Sequence, residues 1–233
     1  MRMIAFDLDN TIAEMNRPAS KLTVEALLEF ESKDVRIALL SGKPGSYLCG
    51  FVRQIGLRHA IISGENGVTI QYGAEFPPSQ FYFTIELDKQ SVDSLRTMEG
   101  VVRKKFGQDV WVQPNMVNLT LFPVRKEMRE VVFEFFRGYV EKHQQEFNGF
   151  GIYEHLDAIE LVPLSVDKGV ALKKIMELEK LGKDEVGAVG DSQSDVPMFK
   201  QVENSFGIGI DSVKHKVESI EDALMKIRNL LGS

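Results

Sequence analysis

Two aspartates near the start of the chain, Asp7 and Asp9, stand two residues apart directly after the apolar run Met3–Phe6. The run predicts a short buried strand, and because side chains alternate along a strand, both carboxylates would point the same way if the strand continued. Two crowded anions are tolerable when a cation sits between them or when one of them holds a proton. Both conditions suit phosphoryl transfer, in which one carboxylate attacks phosphorus, a second moves the proton and a divalent metal ion neutralises the phosphate oxygens.

Three further polar clusters follow predicted strands or open a predicted helix. They are Ser41 with Gly42, Lys168, and Asp191 with Asp195. In an open parallel sheet, ligands bind outside the carboxyl ends of the strands. The sequence therefore predicts that four segments, far apart along the chain, converge on one pocket.

Phosphoryl transfer would give each of these residues a role. Asp7 would be the nucleophile that forms an aspartyl-phosphate, and Asp9 would protonate the leaving alcohol and then deprotonate the attacking water. The phosphoryl group would be bound by Thr11, Ser41, Gly42 and Lys168, the lysine acting as a point charge. The metal ion would be Mg²⁺, which prefers oxygen ligands. Its candidate ligands are Asp7, Asp9, Asp191 and Asp195.

Each cluster by itself also has a purely structural explanation. Asp9, Asn10 and Thr11 are residue types that favour turns and helix caps, and Ser41-Gly42 alone is typical of a turn. A lysine at a helix start opposes the helix dipole, which mildly favours a functional role for Lys168. The four clusters in this order are a stronger indication than any one of them.

Strands and helices alternate through residue 72, which predicts βαβ units and a parallel sheet. The pattern changes after Pro77-Pro78. From there the order β-α-β-β-α-β-β, with a strand over 81–87 and one long amphipathic helix over 125–147, predicts an inserted α+β unit. The alternating pattern returns at residue 168, so the chain is predicted to be an α/β protein with an insertion.

Composition and charge exclude several classes of protein. The 233 residues are 43% hydrophobic and 27% charged, which is ordinary for a soluble globular protein. A net charge of −6 argues against a nucleic-acid binder, whose surface is usually basic. No apolar stretch approaches the about 20 residues of a membrane helix, and the start of the chain lacks the apolar region of a signal peptide. We therefore expect a cytoplasmic protein, in which the single cysteine, Cys49, is a buried and inert thiol.

With all four clusters in order, the chain resembles the phosphatases of the haloacid dehalogenase superfamily. The motifs that carry the resemblance are Asp7-Leu8-Asp9-Asn10-Thr11, Ser41-Gly42, Lys168 and Gly190-Asp191-Ser192-Gln193-Ser194-Asp195. The insertion falls between the second and third motifs, as in the Cof-like branch of sugar phosphatases and archaeal phosphoglycolate phosphatases. Asn10 stands where many members have Gly, and Ser194 where Cof-like members often have Asn.

The resemblance implies a Rossmann-like, doubly wound parallel-sheet core formed by residues 1–77 and 163–233, with an α/β cap over residues 78–162. It also implies Mg²⁺ and hydrolysis of a small phosphorylated metabolite, such as a sugar phosphate or phosphoglycolate, by a monomer or homodimer. The cap would close over the site and bind the leaving group. Candidate contacts there are Asn118 and His155.

Two alternatives stay open at this point. The same family contains phosphomannomutases and phosphotransferases, and no feature of the sequence decides between hydrolysis and transfer to a second alcohol. A binding protein without activity could use the same fold. The intact set of Asp7, Asp9, Lys168 and Asp191 argues against that second alternative.

Overall fold

A computed structural model describes residues 1–232, which form two compact units. The core unit comprises Met1–Thr84 and the described chain from Asp167 onward, and the inserted unit comprises Ile85–Val166. The boundaries expected from the sequence, after residues 77 and 162, lie a few residues before these.

Strands and helices are numbered along the chain. The strands are β1 (Met3–Phe6), β2 (Arg36–Leu40), β3 (Ile61–Gly64), β4 (Thr69–Tyr72), β5 (Tyr82–Thr84), β6 (Val110–Val112), β7 (Leu119–Pro123), β8 (Phe150–Glu154), β9 (Ile159–Pro163), β10 (Val186–Gly190), β11 (Asn204–Ile208) and β12 (His215–Val217). The helices are α1 (Lys21–Ser32), α2 (Gly45–Ile55), α3 (Lys89–Phe106), α4 (Arg129–Lys142), α5 (Gln144–Phe147), α6 (Lys168–Glu179), α7 (Val196–Phe199) and α8 (Ile220–Gly232).

The core unit is built on one eight-stranded sheet with the order β12-β11-β10-β1-β2-β3-β4-β5. The six strands from β12 to β3 are parallel, and β4 and β5 are antiparallel to their neighbours. Strand β1 lies between β2, which follows it in sequence, and β10, which comes near the end of the chain. This is the point where strand order reverses, and in such sheets it is where ligands bind.

Helices cover both faces of this sheet. The side chains of β1 alternate between the two resulting cores: Ile4 and Phe6 pack in one, Met3 and Ala5 in the other, and all four are fully buried. The first core contains residues of α1, α2 and α8, and the second contains residues of α6 and α7. The predicted α/β fold is therefore confirmed, with a sheet that is mixed rather than wholly parallel.

Two helix ends differ from those that the sequence pattern predicts. The sequence pattern predicts Thr23 as the N-cap of α1, but Ser20 is the cap, and its side chain accepts a hydrogen bond from the Thr23 backbone. The pattern also predicts a helix from Lys168 to Leu181 that Gly182 ends, but α6 stops at Glu179, and its C-cap Lys180 adopts the left-handed conformation with φ +55°. Both prediction errors have a local cause, because several residues near each end are able to cap it.

The inserted unit packs α3 and α4 on a four-stranded antiparallel sheet with the order β6-β7-β9-β8. The strand predicted over 81–87 does not belong to this sheet. It is shorter, as β5, and pairs with β4 in the large sheet, where Ile70 lies opposite Phe83. Pairing in this way satisfies the backbone groups along the open edge of the β3–β4 hairpin.

The prediction of a single helix over residues 125–147 is wrong. A 3₁₀ turn precedes α4, and the helix is interrupted at His143, whose backbone ψ is +34°. The imidazole Nδ1 lies 2.8 Å from the Tyr139 carbonyl oxygen, and the same carbonyl accepts a hydrogen bond of 3.1 Å from the His143 backbone, so the residue that ends α4 contacts this carbonyl through both its ring and its backbone. The apolar stripe still packs inward through Val132, Phe133 and Phe136. Across the described residues 1–232, no helix combines the length and the apolar character needed to cross a membrane.

We expect His215, in the edge strand β12, to make the stability of the core unit sensitive to acid. Its ring stacks on Phe206 at a centroid distance of 4.7 Å, and its buried Nε2 has no hydrogen-bond partner within the part of the chain that the structure describes. Burial, together with the nearby Lys214 and Lys226, lowers the pKa of His215 below its usual 6.5. The unfolded chain therefore binds this proton more readily, so the free energy of unfolding should fall as pH drops below about 6.5.

We expect His215→Phe, which keeps the ring stacking and removes the titration, to reduce this loss. The measurement is the thermal midpoint at neutral pH and at about pH 5.5, with the exposed His59→Phe as a control that retains the wild-type acid dependence. An unchanged dependence in His215→Phe would contradict the assignment.

Candidate functional site

The site lies where β1 and β10 end beside each other. The two strands are parallel and in register, with Phe6 opposite Val189. Asp7 follows β1 directly, and Asp191 and Asp195 lie in the loop after β10. Parallel strands bring their carboxyl ends to the same edge of a sheet, so residues from the first and last parts of the chain meet there, as predicted.

Lys168 joins two of the predicted clusters. Its Nζ lies 2.7 Å from Asp7 Oδ1 and 2.7 Å from Asp195 Oδ1. The three residues are 3%, 6% and 0% exposed, respectively. An ammonium this deeply buried is stable only when counter-charges and hydrogen-bond acceptors surround it. The arrangement therefore requires both carboxylates.

The electrostatics of the site favour a further cation. Burial raises the pKa of Asp7 to about 7, although Lys168 lowers it. Burial lowers the pKa of Lys168, but the carboxylates of Asp7 and Asp195 outweigh this effect, so the ammonium stays charged. Burial and the Asp195 carboxylate also raise the pKa of Asp191. Three carboxylates thus share one ammonium, and a bound cation would favour their ionised forms.

The donor set fits a metal ion. One carboxylate oxygen from each of Asp7, Asp191 and Asp195 lies within 4.8 Å of the other two. The buried Thr11, one of the predicted phosphate ligands, donates a hydrogen bond of 3.1 Å from its hydroxyl to Asp191 Oδ1. Clustered carboxylate oxygens are suited to a hard divalent cation. These residues could therefore hold a metal ion.

Asp195 also shapes the loop that carries Asp191. While Oδ1 binds Lys168, Oδ2 accepts hydrogen bonds from the backbone of Asp191 and from both the backbone and hydroxyl of Ser192, at 3.0–3.1 Å. A side chain at Gly190 would place its Cβ 2.5 Å from Asp195 Cγ, so only glycine permits this approach. Asp195 therefore positions Asp191 as well as balancing Lys168.

Asp9 lies outside the three-carboxylate cluster that the described residues form. Its Oδ2 is 3.5 Å from Nζ of Lys43, a residue with no predicted role. The next residue, Asn10, has φ +59°, a conformation that asparagine tolerates better than most side chains. Its Oδ1 accepts a hydrogen bond of 3.1 Å from the Met15 backbone. Asn10 can therefore serve where the resemblance leads one to expect glycine.

Ser41 and Gly42 follow β2, the strand on the other side of β1. Ser41 is buried, and its hydroxyl oxygen accepts a hydrogen bond of 3.2 Å from the Lys43 backbone. The Ser41 carbonyl accepts another, of 2.9 Å, from Asn66. The structure thus places Ser41 and Gly42 at the same edge of the sheet as Asp7.

Glu65, Asn66 and Lys43 are not among the site residues that the sequence predicts. Glu65 and Asn66 have φ +53° and +58°, and Glu65 is fully buried. Two successive non-glycine residues in the left-handed region are strained, and such strain often marks a functional site. A basic residue directly after Ser41-Gly42 is the signal in the sequence that could have identified Lys43.

Asn118 and His155 belong to the inserted unit. Asn118 is buried, and the exposed His155 has its Nε2 2.9 Å from Oε1 of the buried Glu160. Thr120 donates to the other oxygen of Glu160 at 3.3 Å. A contact of Asn118 or His155 with substrate stays a prediction.

Comparison with known proteins shows which family the sequence resembles. A family profile described as haloacid dehalogenase-like hydrolase matches residues 4–116 and 113–223. A phosphoglycolate phosphatase of Staphylothermus marinus is 30% identical over 211 residues, which cover 86% of this chain and 82% of the relative. A mannosyl-3-phosphoglycerate phosphatase of Pyrococcus horikoshii is 27% identical over 253 residues, covering 98% of this chain and all of the relative.

Solved structures with low sequence identity share the fold. A haloacid dehalogenase-like hydrolase from Bacteroides thetaiotaomicron superimposes with a TM-score of 0.75 at 15% identity, over 97% of this chain and 99% of that one. The C-terminal domain of trehalose-6-phosphate phosphatase from C. albicans gives a TM-score of 0.72 at 16% identity, over 99% of this chain and 92% of that one.

Proposed function

The chain belongs to the haloacid dehalogenase-like hydrolases, in which it is a phosphatase, and we propose that it hydrolyses the phosphomonoester of a small metabolite through an aspartyl-phosphate with the help of Mg²⁺. The observation that carries the proposal is the buried bridge of Lys168 between Asp7 and Asp195, beside Asp191. This bridge joins residues from three separate segments of the chain.

In the first step an oxygen of Asp7 attacks phosphorus and the bond from phosphorus to the alcohol oxygen breaks. Asp9 gives its proton to the leaving oxygen, so that a neutral alcohol departs. In the second step Asp9 takes a proton from water while the water oxygen attacks phosphorus. The bond between phosphorus and Asp7 breaks, which releases inorganic phosphate and restores Asp7.

The remaining residues bind and balance charge. Lys168 faces Asp7 and, as a point charge, would stabilise the transferring group, while Ser41, Gly42 and Thr11 would bind phosphate oxygens by hydrogen bonds. Mg²⁺ would be held by Asp7, Asp191 and Asp195, with Asp9 as a further ligand predicted from the sequence, and would neutralise charge on the phosphate oxygens. Burial raises the pKa of Asp7 to about 7, so a cation also helps to keep the nucleophile ionised.

We propose that the inserted unit recognises the leaving group and acts as the cap, with Asn118 and His155 as candidate contacts. The relatives named phosphoglycolate phosphatase and mannosyl-3-phosphoglycerate phosphatase support a substrate of the phosphoglycolate or sugar phosphate type. A cytoplasmic location and a monomeric or homodimeric state stay predictions from the sequence.

The test is a phosphate-release screen over small phosphorylated metabolites with Mg²⁺ present. We expect phosphate release from at least one phosphoglycolate-type or sugar phosphate substrate. We expect EDTA to abolish this release because the carboxylate cluster loses its cation. Excess Mg²⁺ added after EDTA should restore turnover, which controls for damage by the chelator. Turnover that is unaffected by EDTA would remove the metal from the mechanism. Conversion of a phosphosugar to its isomer without phosphate release would favour the mutase alternative.

A further inference from the structure

Lys43 has no role in the reaction as described, although it lies beside one of its acids. It follows Ser41-Gly42 in the loop between β2 and α2, and its Nζ is 3.5 Å from Asp9 Oδ2. Each of the two side chains is 21% exposed, whereas Lys33, in an ion pair on the surface of the same unit, is 56% exposed. A charge pair that is partly withdrawn from water is screened less by salt and solvent.

The backbone fixes Lys43 from two sides. Its N–H donates to the Ser41 hydroxyl oxygen at 3.2 Å, and its carbonyl accepts from the Glu65 backbone at 2.9 Å. Glu65 and Asn66 are the two successive residues with left-handed backbone conformation, which costs free energy for side chains other than glycine. A strained turn therefore holds the loop from which Lys43 reaches Asp9.

Local helix stability does not explain a lysine at this position. Lys43 stands two residues before Gly45, where α2 begins, and the first turn of α2 contains no acidic residue. A cation near a helix N-terminus opposes the helix dipole. The lysine is therefore placed against the local preference, and the contact with Asp9 supplies a reason for it.

We propose that Lys43 is a positioning residue that holds the carboxyl group of Asp9 toward the leaving oxygen. The inference rests on the proposed function, since it takes Asp9 as the acid. As Asp7 attacks, the electron pair of the breaking bond from phosphorus to oxygen stays with the leaving oxygen, which takes the proton of Asp9. Lys43 touches neither phosphorus nor the leaving oxygen and acts only through the orientation of Asp9.

The test is Lys43→Met, with kcat/KM measured on phenyl phosphate and on p-nitrophenyl phosphate. Phenolate is a poor leaving group that needs a proton, whereas p-nitrophenolate departs readily without one. The ratio kcat/KM reports the steps up to release of the alcohol, so the later attack by water does not contribute. A general acid contributes about 10²- to 10⁴-fold, so we expect its misplacement to cost about tenfold on phenyl phosphate and less than about twofold on p-nitrophenyl phosphate.

Three further variants act as controls. Lys43→Arg keeps the charge and should restore the activity on phenyl phosphate. Lys33→Met removes an ion pair with Glu29 on the surface of the same unit and should leave kcat/KM unchanged on both substrates. In an Asp9→Asn background, Lys43→Met should cause no further loss on phenyl phosphate, because two residues that act through one step are not additive.

Equal losses on both substrates, no loss on either, no recovery in Lys43→Arg, or a further loss in the Asp9→Asn background would each overturn the inference. Failure of the proposed function would look different. In that case the wild-type protein would release phosphate from neither aryl phosphate nor from any metabolite of the screen.

Discussion

Asp7→Asn is expected to lower phosphate release by on the order of 10⁴-fold or more while the fold stays intact. The amide matches the carboxylate in size and can still accept a hydrogen bond from Lys168, but it is not a nucleophile toward phosphorus. Lys168 also keeps its second carboxylate partner, Asp195, at 2.7 Å, so the buried ammonium retains a counter-charge. The measurements are phosphate release from p-nitrophenyl phosphate with Mg²⁺ and thermal unfolding of both proteins.

Asp211→Asn is the matched control. The substitution makes the same chemical change on the surface of the core unit, where Asp211 pairs with the exposed Lys216. Both the phosphatase activity and the stability of this variant should equal those of the wild type. A wild-type sample quenched during turnover should carry a phosphoryl group on the peptide that contains Asp7. Wild-type activity in Asp7→Asn would exclude this residue as the nucleophile.

Lys168→Met is expected to have the largest effect on stability, lowering the free energy of unfolding by about 3–5 kcal/mol, and to abolish turnover. The substitution leaves the buried carboxylates of Asp7 and Asp195 without the ammonium that now lies 2.7 Å from each. Neither carboxylate can turn to water, since both are buried. Urea unfolding of the two proteins, in EDTA, measures the difference.

The same variant also reports on the metal. With the ammonium gone, a divalent cation is the remaining partner for the Asp7, Asp191 and Asp195 carboxylates, so Mg²⁺ should stabilise Lys168→Met more than it stabilises the wild type. Lys33→Met, which breaks an ion pair on the surface, should change stability by at most about 1 kcal/mol. Wild-type stability of Lys168→Met in EDTA would show that the lysine is not the counter-charge.

The convergence of Asp7, Asp191 and Asp195 could be predicted because it depends on strand order, whereas Lys168 opens α6 and its place is implied by the order of the motifs. Apolar runs identify the strands of a parallel sheet, and the residues after each run must lie at one edge. The contact of Thr11 with Asp191 follows from the same placement. This part of the site required no knowledge of any side-chain conformation.

Other features depend on interactions that sequence periodicity does not encode. The helix breaks at His143, whose ring and backbone both contact the Tyr139 carbonyl, and the transfer of β5 to the large sheet arises from an open hairpin edge. Lys43 contacts Asp9 because of a turn at Glu65 and Asn66 that is distant in sequence from Asp9. The placement of β5 and the contact of Lys43 with Asp9 result from tertiary contacts that override a local pattern.

The position of β1 has a consequence for biosynthesis. Its neighbour β10 pairs Val186 with Met3, so a ribosome makes β2 to β5 and the whole inserted unit before the second partner of β1 exists. Until then one side of a fully apolar strand is an unpaired edge, which is a template for pairing with other chains. A nascent or truncated polypeptide lacking its last quarter would expose the middle of the sheet rather than its margin, and protection by a chaperone would matter most during that interval.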